Sequence, residues 1–429
     1  ADMEAATAPE VPFEENIAVT KKVVEDAHAK GYETCANIMA ISKVQEDELI
    51  KGLPYELTDD QKKVWDEMLA DMEGTGVMNR LVQGDVGSGK TVLAVLAMVT
   101  MAENGYQSAL MAPTEVLARQ HYQSLLQMLT PLGLADRIVL LTGSMTAKEK
   151  REAYERLKEH EADMAVGTHA LIQDKVEFAG LGLVITDEQH RFGVRQRTAL
   201  GKKGRAPHTI VMSATPIPRT LAFVLYGDLD VSVIDELPPG RKPVQTIHAT
   251  EGKRPALYKF MRDQIALGRQ VFVVYPLINE TEKLDYQSLE AGAEDIIKHF
   301  PFPDYKTAVV HGKQLNDVKK FNMDAFAAGR ANILVATSVI EVGVDVPNAS
   351  VMVIESAERF GLSQLHQLRG RVGRGSAKSY CILLSDTQNE ETKQRLKVMT
   401  ATNDGFKISE EDLRLRGPGD FFGQRQHGL

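Results

Sequence analysis

With 429 residues, 43% of them apolar and 25% charged, the chain is too long for one ordinary core and too apolar to be largely disordered, so two or three folded domains are expected. Its formal net charge of −9 does not advertise a nucleic-acid partner, but an acidic protein can still hold a phosphate backbone in a local basic groove. Cys35 and Cys381 are too far apart in sequence for a C-x-x-C pair or a ligand cluster, which argues against structural zinc and suits a reducing cytosol. Neither a basic leader with an apolar stretch nor a long uncharged apolar run is seen, so the expected setting is cytoplasmic, without a membrane.

In chain order, residues 1–52 read as a helical segment of uncertain role, with FEENIAVTKKVVEDAHAKG (13–31) amphipathic. From about residue 79 to 235, apolar runs alternate with amphipathic or polar stretches. The runs are NRLVQ (79–83), SALMA (108–112), RIVLL (137–141), DMAVG (163–167), LGLVI (181–185) and HTIVM (208–212). Near-continuous apolar strands between helices predict a parallel sheet covered on both faces. A proline-rich break, ELPPGRKPV (236–244), interrupts the pattern. The alternation then restarts with QVFVVYP (270–276), TAVVHG (307–312), NILVAT (332–337), SVMVIES (350–356) and SYCILL (379–384). The reading is two α/β lobes joined by a stiffened linker. Its divisions are 1–52, a lobe over 53–240, a second over 241–395 and a tail over 396–429.

Gly84 to Thr91, GDVGSGKT, fits G-x-x-x-x-G-K-[ST] and lies between a predicted strand and the helical run TVLAVLAMVTMA. Gly84, Gly87 and Gly89, with Ser88, let backbone N–H groups wrap phosphates at a helix N-terminus. Lys90 supplies a cation for the β and γ phosphates, and Thr91 can hold Mg²⁺. The stretch DEQH (187–190) follows another apolar run. Asp187 stands at the strand end where an open α/β sheet binds ligands and suits the metal. Glu188 suits the attacking water, and His190 stands where the γ-phosphate could be sensed. Ser213 and Thr215, in SATPIPRT (213–220), could couple that site to its surroundings. In the second lobe, QLHQLRGRVGRG (364–375) carries Arg369, Arg371 and Arg374, whose planar charged forks suit a transferring γ-phosphoryl.

Together GDVGSGKT, APTEVLARQ (112–120), TGS (142–144), GTHAL (167–171), DEQH, SATPIPRT, ATSVIEVGVDVP (336–347) and QLRGRVGRG (367–375) resemble the motifs of the superfamily 2 helicases. TDEQHRFGVRQR (186–197), LYGDLDVSVIDELPPGRKPV (225–244) and SAERFGLSQLHQLRGRVGRG (356–375) narrow the resemblance to the RecG-type helicase family, from about Leu53 to Leu429. The resemblance implies two tandem RecA-like P-loop NTPase lobes, followed by a C-terminal translocation hairpin. It also implies an ATP- and Mg²⁺-dependent double-stranded DNA translocase that remodels stalled replication forks and Holliday junctions. The resemblance further implies a monomer, association with the nucleoid, and single-stranded DNA-binding protein as a further partner.

Carried over by residue, Lys90, Thr91 and Asp187 would serve ATP and Mg²⁺ and Glu188 catalysis. Arg371 and Arg374 would be arginine fingers, with Gln367 lining their cleft. Gln61, in LPYELTDDQ (53–61), would read adenine; the same stretch also fits a cap before a helix. Thr114, Arg119, Thr142, Gly143, Thr168 and Thr337 match strand-contacting positions, where hydroxyls and amides suit phosphate without base reading. In the tail, Arg416, Gly417, Gly419, Gly423 and Gln426 match the translocation motif, whereas His427 stands where the family pattern has serine.

The family also carries an N-terminal wedge domain, and the residues before Leu53 are too few for its five-stranded barrel. The chain is therefore either a motor core of a larger protein or a wedge-less relative. Residues 13–31 also resemble a stretch of class II fructose-bisphosphate aldolases, without that family's metal-site residues. A transcription-repair coupling translocase shares the motor and the tail, but its helicase box ends in arginine where His190 stands here. An RNA helicase fits the acidic box less well, and a DNA clamp without turnover fits the full set of Lys90, Asp187, Glu188 and Arg374 poorly.

Overall fold

Strands this apolar need cover on both faces, and each of two sheets receives it from helices. The computed structural model describes residues 44–187, 200–204, 206–214, 229–236, 242–276, 282–337, 346–375 and 377–416, and for 282–288, 316 and 416 the backbone alone. The described parts of Ala1–Val82, Gly89–Ser213 and Asp228–Ile234 pack as one unit, and those of Gln83–Ser88, Ala214–Gly227 and Asp235–Leu429 as another.

The first sheet and its helices run α1 (Val44–Gly52), α2 (Asp59–Glu73), β1 (Asn79–Gly84), α3 (Lys90–Glu103), β2 (Gln107–Met111), α4 (Glu115–Leu129), β3 (Ile138–Leu141), α5 (Ala147–Lys158), β4 (Met164–Gly167), β5 (Leu181–Asp187), β6 (His208–Ser213) and β7 (Asp230–Ile234). The strand order is β3-β4-β2-β5-β6-β1-β7, and the pairings β3–β4, β4–β2, β2–β5 and β5–β6 are parallel. The second set runs β8 (Gln245–Ala249), α6 (Arg254–Ala266), β9 (Gln270–Val274), α7 (Glu282–His299), β10 (Thr307–Val310), α8 (Asn316–Ala327), β11 (Ile333–Ala336), β12 (Ala349–Ile354), α9 (Leu362–Arg369), β13 (Tyr380–Leu384), α10 (Glu390–Ala401) and α11 (Gly405–Arg416). Its order is β10-β11-β9-β12-β13-β8, parallel at every pairing.

Each predicted apolar run contains a strand, so the chain has the expected two parallel-sheet α/β lobes. Two strands, β7 and β8, were not expected. Both are sheet edges with largely exposed or half-exposed residues, and a strand covered on few sides does not read as apolar. The expected hairpin after Arg416 and the segment before Val44 lie outside the described residues.

Helix α3 is buried nearly all round, as a helix apolar on every face must be. It packs against β2 and β5 and against α1 and α2. Trp65, Met68 and Met72 of α2 are at most 4% exposed, and burial of each such side chain stabilises by roughly 1.5–3 kcal/mol. Helix α1 is tied down by polar contacts. The N–H groups of Val44 and Gln45 donate to the Glu103 carboxylate at 3.0 and 3.1 Å, and Trp65 Nε1 donates to Glu46 at 2.6 Å. No helix among the described residues is long and apolar enough to cross a membrane.

Candidate functional site: a phosphate loop and the strand ends beside it

Parallel pairing gathers strand C-termini on one edge, and several motif residues sit there. Thr142 and Gly143 follow β3, Thr168 follows β4, and Ala112–Thr114 follow β2; Asp187 ends β5, Ser213 ends β6, and the glycine-rich loop begins at the end of β1. In sheet order, Thr142, Gly143, Thr168 and Thr114 follow β3, β4 and β2, while Asp187, the expected coupling residue Ser213 and the phosphate loop lie at the ends of β5, β6 and β1. The edge is thus partitioned before any side chain is considered.

The loop from Gly84 to Lys90 turns through two left-handed glycines, Gly87 at φ 79° and Gly89 at φ 85°, a conformation that costs glycine little and other residues more. Gly89 is the N-cap of α3, and Lys90 is that helix's first residue, 8% exposed. A helix N-terminus carries partial positive charge. A buried ammonium there adds to that field, so the position favours an anion. A side chain at Gly89 would meet Gln61, since its Cβ would lie 2.1 Å from Gln61 Nε2. Gln61 itself forms a capping box: Thr58 N donates to its Oε1 at 2.9 Å, and its N–H donates to Thr58 Oγ1 at 3.2 Å. The cap at the start of α2 therefore also holds the amide beside Gly89.

Asp187 has a partner that the sequence did not disclose. His121 Nε2, on α4, lies 2.6 Å from Asp187 Oδ2, and both side chains are largely buried. This contact fixes one carboxylate oxygen from the same helix whose start faces the β2 strand end. Thr91, the expected metal-holding hydroxyl, is the second residue of α3 and is half-buried.

On the β3–β4–β2 side, Thr114 caps α4 by accepting from Leu117 N at 3.3 Å. Arg119 donates to Glu115 at 2.8 Å and to Ser144 at 3.3 Å, and Ser144 also donates to Glu115. Burial pushes the Glu115 carboxyl up, but hydrogen bonds from Ser144 and Arg119 and the Arg119 charge outweigh it and hold the group below its ordinary range. Gly143 O accepts from Lys150 Nζ at 2.7 Å. Thr168 Oγ1 is buried without a hydrogen-bond partner, an arrangement normally resolved by a ligand or water.

In the second unit, Thr337 is fully buried and Gln367 half-buried. The three arginines of QLRGRVGRG separate by environment. Arg369 donates to Met399 O and Thr402 O, each at 2.8 Å, and to Thr246 Oγ1 at 3.2 Å. It is a scaffold residue that satisfies carbonyls at the end of α10. Arg371 is buried, and Arg374 is half-exposed with Nε donating to Gly370 O at 3.4 Å. Arg369 also donates to His366 Nδ1 at 2.9 Å, which leaves His366 Nε2 as the donor to Asp85 Oδ1 at 2.6 Å inside this unit, to which Gln83–Ser88 belong. Asp85 and His366 were not expected from sequence. Of the remaining expected residues, Glu188, His190, Thr215 and Gln426 and the side chain of Arg416 lie outside the described residues.

Comparison with known proteins sharpens these observations. The DEAD/DEAH box helicase family matches residues 58–224, the helicase conserved C-terminal domain matches 252–376, and the C-terminal part of domain 3 of ATP-dependent DNA helicase RecG matches 402–429. The RecG helicase of Synechocystis sp. is 53% identical over 379 residues, covering 88% of this chain and 45% of that protein; the Thermotoga maritima RecG is 51% identical over 383 residues, covering 89% and 49%. The chain belongs to the RecG-type helicases. A solved RecG bound to a three-way DNA junction superposes with a TM-score of 0.76 at 44% identity, over 97% of this chain and 54% of that one. The DNA-bound helicase MrfA, 15% identical at a TM-score of 0.62 over 82% of this chain and 52% of that one, shares the fold. This chain thus spans about half the length of the RecG relatives it matches.

Proposed function

We propose that this chain is an ATP-driven DNA motor that acts on branched DNA, replication forks and Holliday junctions among its substrates. The observation that carries the reading is Lys90, buried at the N-terminus of α3 behind two left-handed glycines. That cradle fits a polyphosphate. The relatives' names supply the polymer: they are ATP-dependent DNA helicases, and the solved RecG holds a three-way DNA junction.

In this reading Lys90 and the N–H groups of Gly84–Gly89 hold the β and γ phosphates, and Gln61 reads the base. Thr91 and Asp187 would hold Mg²⁺, a cation that is commonly bound through few protein ligands. Bound there, the metal would neutralise charge developing on the transferred phosphoryl group. His121 keeps the Asp187 carboxylate in one orientation. Glu188 positions the attacking water, His190 senses the γ-phosphate, and Arg371 and Arg374, with Gln367 beside them, stabilise the charge on the phosphoryl group.

The polymer's phosphates would run along Thr114, Arg119, Thr142, Gly143 and Thr168, with Thr337 in the second unit. The buried unpartnered hydroxyl of Thr168 supports that path. Arg416 and Gln426 would couple the motor to duplex. The division into 53–240, 241–395 and 396–429, the monomeric state, the cytoplasmic setting and single-stranded DNA-binding protein as a partner belong to the same proposal.

The test is the ATPase rate with no DNA, single strands, plain duplex and a model fork at fixed salt. Stimulation by duplex or fork is the expected result. Turnover indifferent to all DNA would overturn the polymer assignment, and absence of any turnover would overturn the motor.

A further inference from the structure

Next to the β3 and β4 strand ends, the first unit carries an open groove of about 700 Å³, lined by Lys150, Tyr154, His169, Gln173, Asp174 and Lys175 among others. One wall is α5, and the other is the short turn His169–Ile172 with the residues after it. The groove joins the proposed phosphate path at two points. Lys150 Nζ reaches Gly143 O at 2.7 Å, and His169 directly follows Thr168, whose hydroxyl is buried without a partner.

Its charge is positive on balance. Lys150 and Lys175 line it with a single carboxylate, Asp174, which itself lies in the field of Lys203. Glu149, in the first turn of α5, is folded back onto Thr146 in a capping box, so its carboxylate is engaged at the helix start. His169, Gln173 and Lys175 are exposed and Tyr154 is half-buried. Donors of this kind on an open surface suit a sugar–phosphate backbone, which is positioned without base reading. A small-molecule site would instead enclose most of its ligand.

We infer that this groove takes the backbone of duplex DNA as it leaves the Thr142–Gly143 and Thr168 loops, extending the footprint of the first unit. The inference rests on the DNA-motor reading above. Neither Lys175 nor Tyr154 belongs to a motif that the sequence singled out, so the groove is an additional contact surface.

The test is anisotropy titration of a labelled plain duplex with the full chain across a salt series. For each lysine lost from a phosphate contact, the slope of log K against log salt falls by about 0.9. Lys175→Ala is expected to lower the slope by about one contact and Lys150→Ala/Lys175→Ala by about two, with Lys175→Arg keeping the wild-type slope. Lys63→Ala, on α2, which packs by β7 at the opposite sheet edge from β3 and β4, is expected to change nothing. Superimposable thermal melts establish that the variants are folded. Wild-type slopes in both groove variants would overturn the inference, as would an equal fall in Lys63→Ala. A wild-type chain that binds no duplex would instead overturn the DNA reading itself.

Discussion

Both units bury a cation at the end of a helix, and they do so at opposite ends. In the first, Lys90 is the first residue of α3; in the second, Arg369 meets the last carbonyls of α10. A helix C-terminus is electronegative and its final carbonyls lack partners within the helix, so these carbonyls offset part of the cost of burying Arg369, whose pKa burial lowers from its ordinary value. A helix N-terminus repels a cation. Lys90 therefore adds a positive charge to a helix end that is already electropositive, and the two together favour an anion there. The lesson is that the same type of charge in the same type of sheet marks a scaffold at one helix end and a ligand site at the other.

The comparison can be broken most sharply at Lys90. Lys90→Ala should reduce ATP turnover by about 10³-fold while the thermal melt stays near wild type; a variant with normal rates would remove the anion-site assignment. Arg369→Met should do the reverse. It should cost about 3 kcal/mol of unfolding free energy by stranding buried carbonyls, seen in chemical denaturation, and an unaltered midpoint with lost turnover would move Arg369 into the catalytic set. His121→Ala sharpens the ligand side. Loss of the group that orients Asp187 should lower kcat about 10- to 100-fold, and an unchanged kcat would leave the 2.6 Å contact without a role in turnover.

The smallest expected effect concerns scaffold pH dependence. Burial pushes the His208 imidazole below its ordinary value, and its Nδ1 accepts from Met78 N at 2.9 Å, which requires that nitrogen to be unprotonated. The unfolded chain then binds the proton at a higher pH than the folded one. This contribution to stability is complete above the unfolded pKa of about 6.5 and is lost as pH falls below it. His208→Gln should therefore show a shallower decline of melting temperature between neutral and mildly acidic pH than wild type. Parallel declines would dissociate His208 from the acid sensitivity.

What was legible in sequence follows the range of each interaction. The phosphate loop is eight consecutive residues, so its glycines, lysine and strand–helix setting could be read directly. The apolar runs could be read because a strand buried on both faces needs no partner to look apolar. Strands β7 and β8 escaped because an edge strand is defined by what lies on one side of it. His121 escaped for a related reason: it stands 66 residues from Asp187, and no local period connects them. Arg369, Arg371 and Arg374 are alike in residue type, and the family resemblance alone sets Arg371 and Arg374 apart; the reason for Arg369's different role, the carbonyls at the α10 terminus, lies 30 residues or more away in sequence.

The polar anchoring of α1 has an optical consequence. Trp65 is the chain's sole tryptophan. It is 4% exposed, its indole N–H donates to the buried Glu46 carboxylate at 2.6 Å, and it lies one helical turn from Gln61 on α2. Intrinsic fluorescence excited at the red edge therefore comes from a single site beside the proposed adenine reader. The unlabelled protein carries its own emission probe for the docking of α1, and a stopped-flow trace recorded on it would follow that one helix.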